Sequence, residues 1–319
     1  MRAVQYDEYG GSGVLKIRQV PVPVPGPSDV LVRVHASGVN PKDAMIRAGS
    51  LRLLTGRRFP RGTGFDFAGE VAALGAGVTD LNAGQRIWGF LDGFLGGAAA
   101  DYVVAPRAWL APMPARLDWI EAGAIPLVAT TALQALRDVA RLGPGERLLI
   151  RGASGGVGSA AIQIGAAMRG YVTAIASGDG IAHCRALGAD AVVDYRVSDP
   201  AALRERFDVF LDCVGGSSIR RYRRLLHREG RWVAVAPSFP IYALAPVSAV
   251  VSPPLGLPRL RFVAVKPRSA DLEELARLVG RGAFHMPVTA TYPLEAIAEA
   301  HDAAAARHGR GKRVIVVAP

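Results

Sequence analysis

Cysteine is nearly absent: Cys184 and Cys213 are the only two in 319 residues. Two isolated thiols exclude a disulfide framework and a four-cysteine zinc site, and they fit a reduced, cytoplasmic chain. Lysine is equally scarce, with only Lys16, Lys42, Lys266 and Lys312, so the formal net charge of +11 rests on arginine. The arginines are scattered apart from Arg220, Arg221, Arg223 and Arg224, and no nucleic-acid module accompanies them. They read as a solvated surface, and no nucleic-acid partner is expected. Long apolar runs are missing too. The best stretch, 240–258, is broken by Pro246, Pro253 and Pro254, whereas a membrane span needs about 20 apolar residues. We read it as covered surface, and expect a homodimer that pairs there. Met1–Tyr6 reads as a strand, with no basic region before an apolar run, so no signal peptide is expected. Only 20% of residues are charged and 50% are hydrophobic, enough to bury a large core.

What is present changes character along the chain. Leu15 and Ile17 alternate with Lys16 and Arg18, the pattern of a half-buried strand. Pro21 to Pro27 is an extended connector. Val30, Val32 and Val34 form the inward face of another strand, with His35 turned outward. Asn40-Pro41 reads as a helix start, and Asp43 with Arg47 as an ion pair on that helix's surface. Glycines punctuate short apolar segments from 62 to 100, as in a turn-rich β domain. Asp118 and Glu121 form a capping box. Beyond it, strands at 147–151, 171–176, 191–194, 208–212 and 231–236 alternate with helices. That order predicts an α/β fold with a doubly wound parallel sheet. A helix at 294–306 and a strand at 313–317 close the chain. The domains expected are 1–118, 119–258, and a returning segment 259–319.

Strand 147–151 runs into Gly152-Ala153-Ser154-Gly155-Gly156-Val157-Gly158 and then an apolar-periodic helix. Ala153, Gly155 and Gly158 occupy the three positions of a Gly-x-Gly-x-x-Gly spacing. The middle glycine lets the backbone approach a pyrophosphate, the last lets helix pack on strand, and the phosphates meet the helix N-terminus. Strand, loop, helix and second strand together point to a dinucleotide site. The second strand ends at Ser177 without an acid, which leaves room for a 2′-phosphate; Asp179 would oppose it, and Tyr195 and Arg196 could donate to it. NADPH is the cofactor expected, with NADH the alternative.

Several segments, in order, resemble the quinone oxidoreductase (zeta-crystallin-like) branch of the medium-chain dehydrogenase/reductases. They are Val39–Asp43, Gly64-Phe-Asp-Phe-Ala-Gly69, Ala83–Arg86, Thr131-Ala132, the 152–158 loop, Leu187–Asp190, Val193–Tyr195, Asp212–Gly216 and Gly311-Lys312. The stretch Asn40–Gly69 is similar to the plant chloroplast-envelope quinone oxidoreductase homologues and related enone reductases. The resemblance implies a GroES-like catalytic domain beside a Rossmann domain. It implies cofactor contacts from Asn40, Thr131, the 152–158 loop, Ser177, Tyr195, Val214 and Lys312. The zinc-dependent cousins carry a Cys where Ser37 stands and a His-Glu pair near Phe65 and Asp66, so no metal is expected.

The activity implied is zinc-independent reduction of a quinone or an α,β-unsaturated carbonyl by NADPH. Asn40 is the expected oxyanion donor, and the proton is expected from solvent. None of the six histidines is assigned as an acid. Competing readings are a dinucleotide-binding protein without turnover, a nucleic-acid binder and a zinc-type alcohol dehydrogenase.

Overall fold

The computed structural model describes residues 1–216, 219–235, 245–248, 252, 257–306 and 310–318. The chain divides into two units, Met1–Thr130 with Lys266–Pro319, and Thr131–Val265.

The first unit is built on β3 (Asp29–Val39), which pairs antiparallel with β5 (Asp66–Leu74), β7 (Tyr102–Pro106) and β16 (Lys312–Val316). With β6 (Arg86–Phe90), β8 (Leu110–Pro112) and β15 (Val288–Pro293), the sheet order is β15-β16-β3-β5-β6-β8. A second sheet holds β1 (Arg2–Tyr6) between β2 (Lys16–Gln19) and β4 (Arg61–Gly62). Val30, Val32 and Val34 are inward as expected, but His35 is not outward. Both faces of β3 are covered, one by the helix Trp119–Ala124, and the His35 ring stacks on Trp119 at 4.4 Å. The half-buried reading holds for Leu15 but not for Ile17, which lies on the edge strand β2 and is 37% exposed.

The pairing of β16 with β3 sets Arg313 opposite Val39 and Val314 opposite Gly38. The last strand therefore delivers its first residue, Lys312, to the end of β3, where Asn40 follows. Gly38 makes this corner possible. A Cβ there would lie 2.5 Å from the Gly123 carbonyl oxygen and 2.9 Å from an Asp66 carboxylate oxygen. Only glycine lets β3 pass so near a buried acid.

The second unit is the parallel sheet expected. Its strands are β9 (Arg147–Arg151), β10 (Tyr171–Ala176), β11 (Ala191–Asp194), β12 (Phe207–Asp212), β13 (Leu226–Ala234) and β14 (Arg259–Phe262). The order is β11-β10-β9-β12-β13-β14, and all five pairings are parallel. β13 begins earlier than the expected 231 because Leu226 pairs with Phe207 across a register shift. Helical segments cover both faces. Leu148 and Val172 lie against Gly165 of the helix Gly156–Ala167. The neighbouring Leu149, on the other side of the pleat, joins Phe210, Tyr222, Leu225 and Trp232 in the opposite core. Phe210 and Trp232 stack there at 4.3 Å. Strands buried on both faces need apolar runs, and the central strands β9, β10 and β12 carry them. Most of the 240–258 segment expected to pair, and His308, lie outside the described residues.

Candidate functional site

In the second unit, Gly152–Gly158, Ser177, Tyr195 and Val214 gather at the carboxyl ends of the parallel strands. The loop leaves β9 at Gly152, whose φ of +75° is the left-handed region that favours glycine. Ala153 N–H donates to the Ile175 carbonyl at 3.4 Å, tying the loop to β10. Gly155 then stands as N-cap of the helix Gly156–Ala167, with no side chain capping the helix. Its first N–H groups therefore face an anion-binding position.

Two glycines of this loop serve different needs. A Cβ at Gly158 would lie 2.3 Å from the Gly152 carbonyl oxygen and 2.6 Å from Ala153 Cα. Glycine here is a packing requirement of helix on strand. At Gly155 the backbone is ordinary, φ −76° and ψ 175°, and the nearest atom to a Cβ would be Gly152 O at 3.5 Å. Nothing in the protein's own packing demands glycine at 155. The residue keeps space open in front of the helix, and a dinucleotide pyrophosphate fits that space.

Around the loop, Val214 packs against Gly152, with its Cγ2 2.8 Å from where a Cβ would stand. Val214 N–H donates to the buried Asp212 carboxylate at 3.1 Å, and Arg151 pairs with that carboxylate at 3.2 Å. At the tip of β10, Ser177 is half-buried and Asp179 is exposed at the start of the helix Asp179–Ala186. Tyr195 N–H donates to Ala176 O, and its ring is exposed. An Arg196 Nη1 comes within 3.8 Å of the Cβ position at Gly178. This places a cation beside the residues expected to meet the adenosine end. Thr131 is buried on the helix Pro126–Gln134.

Asn40 and Lys312 come together in the first unit, in a buried polar network. Lys312 Nζ donates to Asn40 Oδ1 at 2.7 Å and to Val39 O at 3.1 Å, and lies 3.4 Å from Asp66 Oδ2. Asn40 Nδ2 donates to Asp66 Oδ2 at 2.7 Å and to Gly38 O at 3.3 Å. Leu127 N–H donates to Asp66 Oδ1 at 2.5 Å. The Asn40 side chain thus turns from its own helix towards Asp66. Both its N–H groups are used within the protein, contrary to the expectation of a free oxyanion donor.

Asp43 and Arg47 are not a surface pair. They are 2% and 4% exposed, and no ion pair joins them among the described residues. Their helix, Pro41–Arg47, is covered by the helix Ile297–Ala305. Asp43 Oδ2 accepts from Asn40 N–H at 2.7 Å, while Oδ1 has no partner. Burial pushes the Asp43 carboxyl up to about 7, against the opposing backbone bond from Asn40 and the charge of Lys312. Burial also pushes Asp66 up, opposed first by Lys312. Asp66 was legible in the sequence only as a missing zinc ligand; an acid between two phenylalanines of a buried strand was the available signal.

The positions at which zinc ligands were sought have other engagements. Ser37 Oγ donates to Asp66 O at 2.8 Å, and Phe65 lies under the Lys42 ammonium at 4.0 Å. Among the described residues, no three His, Cys, Asp or Glu side chains converge into a metal-holding group.

Because the folded Asp43 binds its proton more tightly than an unfolded aspartate, stability should fall as pH rises from about 4 to 7. The limiting slope is about 1.4 kcal/mol per pH unit for one proton. Asp43→Asn should flatten that slope. Thermal unfolding of both proteins across pH 4–8 measures it, and parallel curves would refute the protonated Asp43.

The comparisons agree with this architecture. Residues 26–115 match the family described as alcohol dehydrogenase GroES-like domain, and 187–315 the family described as zinc-binding dehydrogenase. A chloroplast envelope quinone oxidoreductase homolog from Arabidopsis thaliana is 31% identical, covering 99% of this chain and 98% of its own. The human mitochondrial NAD(P)H oxidoreductase RTN4IP1 is 30% identical over 99% of this chain and 89% of its own. The solved structure of the quinone oxidoreductase from Coxiella burnetii superposes with a TM-score of 0.91 at 29% identity, covering 100% of this chain and 99% of that one. With a GroES-like unit, a Rossmann-type parallel sheet and relatives matched end to end, the chain belongs to the medium-chain dehydrogenase/reductases, among the quinone oxidoreductase homologues.

Proposed function

We propose that this protein binds NADPH on the Gly152–Gly158 loop and reduces a quinone or an α,β-unsaturated carbonyl compound without zinc. The observation that carries the reading is the open face at Gly155, where glycine preserves room that the fold itself does not use. Relatives named as quinone oxidoreductases and NAD(P)H oxidoreductases support the reaction class. When bound, the dinucleotide supplies the hydride from its nicotinamide C4.

The chain's own residues bind and orient. The first-turn N–H groups of the helix Gly156–Ala167 hold the pyrophosphate. Ser177, Tyr195 and Arg196 receive the adenosine 2′-phosphate, and Asp179 weakens that preference by charge. Thr131, Val214, Asn40 and Lys312 complete the set that the family resemblance assigns to the cofactor. Asn40 serves as a fixed polar wall rather than an oxyanion donor, because Asp66 and Gly38 O take its protons. A conjugated acceptor spreads incoming charge onto its own oxygen, so the final proton can come from solvent.

We further propose a cytoplasmic homodimer. No helix among the described residues is long and apolar enough to cross a membrane. The apolar, proline-broken 240–258 segment of the sequence supports a surface that a second copy covers.

Substitution of the two glycines should separate binding from folding. Gly155→Val should weaken NADPH binding at least tenfold in calorimetry while the melting temperature stays within a few degrees. Gly158→Val should lower the melting temperature first, since its side chain meets backbone. Wild-type NADPH affinity in Gly155→Val would move the site elsewhere.

Cofactor choice gives a second test. Wild-type protein should bind NADPH more tightly than NADH, and Asp179→Arg should widen the ratio severalfold. Tighter NADH binding by the wild type would make Asp179 a ribose ligand instead.

A further inference from the structure

We propose that Asp66 is the positioning residue of the first unit's site, fixing both the orientation of the Asn40 amide and the start of the helix that carries Thr131. The inference rests on the functional reading above. Asp66 is fully buried, and its carboxylate takes three donors at once: Asn40 Nδ2, Lys312 Nζ and Leu127 N–H. The orientation of an asparagine amide is ordinarily ambiguous by 180°. Here chemistry removes the ambiguity, because an ammonium only donates and a carboxylate only accepts. Oδ1 must face Lys312, and Nδ2 must face Asp66. The other carboxylate oxygen bonds Leu127, in the first turn of the helix Pro126–Gln134, one turn before Thr131. Asp66 therefore links the Asn40 amide to the helix start at Leu127.

Gly38 supports this reading. A Cβ there would press on Asp66 Oδ2 at 2.9 Å, so the strand leaves this acid room for its contacts. Lys312 balances the Asp66 charge, which creates a rival explanation: the pair could be kept for electrostatic neutrality alone.

A pair of variants separates the two. Asp66→Asn leaves Lys312 as a buried cation without its carboxylate, so it should melt well below the wild type. The double variant Asp66→Asn with Lys312→Met restores neutrality but leaves Asn40 with neither determinant of its orientation. It should recover at least half of the lost melting temperature, while kcat with NADPH and a quinone or enone stays at least tenfold below wild type. By NMR, the Asn40 side-chain amide protons should exchange slowly in the wild type and at least tenfold faster in the double variant. Recovery of kcat in step with the melting temperature, or unchanged amide exchange, would overturn the positioning role. If the wild type reduces no quinone or enone at all, the functional reading falls, and the amide exchange still decides whether Asp66 holds Asn40.

Discussion

A single buried carboxylate organises the first unit. Asp66 cannot be solvated where it stands, and an uncompensated charge at such a position would cost several kcal/mol. Its three donors come from residues far apart in sequence: the end of β3, the start of the helix after residue 125, and the first residue of the last strand. Each must arrive correctly for the acid to be satisfied. The constraint explains why β16 returns from the far end of the chain to pair beside β3 in the register that brings Lys312 to Asn40. It also explains the glycine at 38. Losing one donor would leave the others in a poorly satisfied, low-dielectric pocket.

The second unit depends on shape more than charge. Its sheet is apolar on both faces, and its helices are held by close packing, with Gly158 permitting the closest approach. The ligand-facing edge is built from what that packing leaves over: backbone N–H groups at a helix start, one glycine not needed for the fold, and a few polar side chains beyond the strand tips. A scaffold that places backbone donors at fixed positions can hold a phosphate without dedicated cations. This fits the absence of lysine or arginine from the loop itself.

Local patterns in the sequence identified the second unit well. Apolar runs marked β9 and β10 to the residue, because a strand buried on both faces carries its signal in every position. The glycine spacing marked the loop for the same local reason. The first unit was harder to read. Alternation suggested an outward His35, but coverage of the second face of β3 depends on a helix some 80 residues away in the chain. The spacing of Asp43 and Arg47 fits a surface pair equally well whether or not another helix covers it; only tertiary packing by Ile297–Ala305 decides. Asn40 and Lys312 were marked by family resemblance, whereas their direct contact follows from strand register. The role of Asp66 was hidden because its partners are assembled entirely by long-range pairing.

The most direct measurement of the proposed chemistry follows the hydride itself. The protein would be incubated with NADPH stereospecifically deuterated at C4 and a simple enone, and the product examined by mass spectrometry and NMR. Deuterium should appear on the carbon β to the carbonyl, with the adjacent α-hydrogen drawn from solvent. Product lacking the label at that carbon, together with ready reduction of unconjugated ketones, would contradict hydride transfer to a conjugated acceptor and require an acid from the protein.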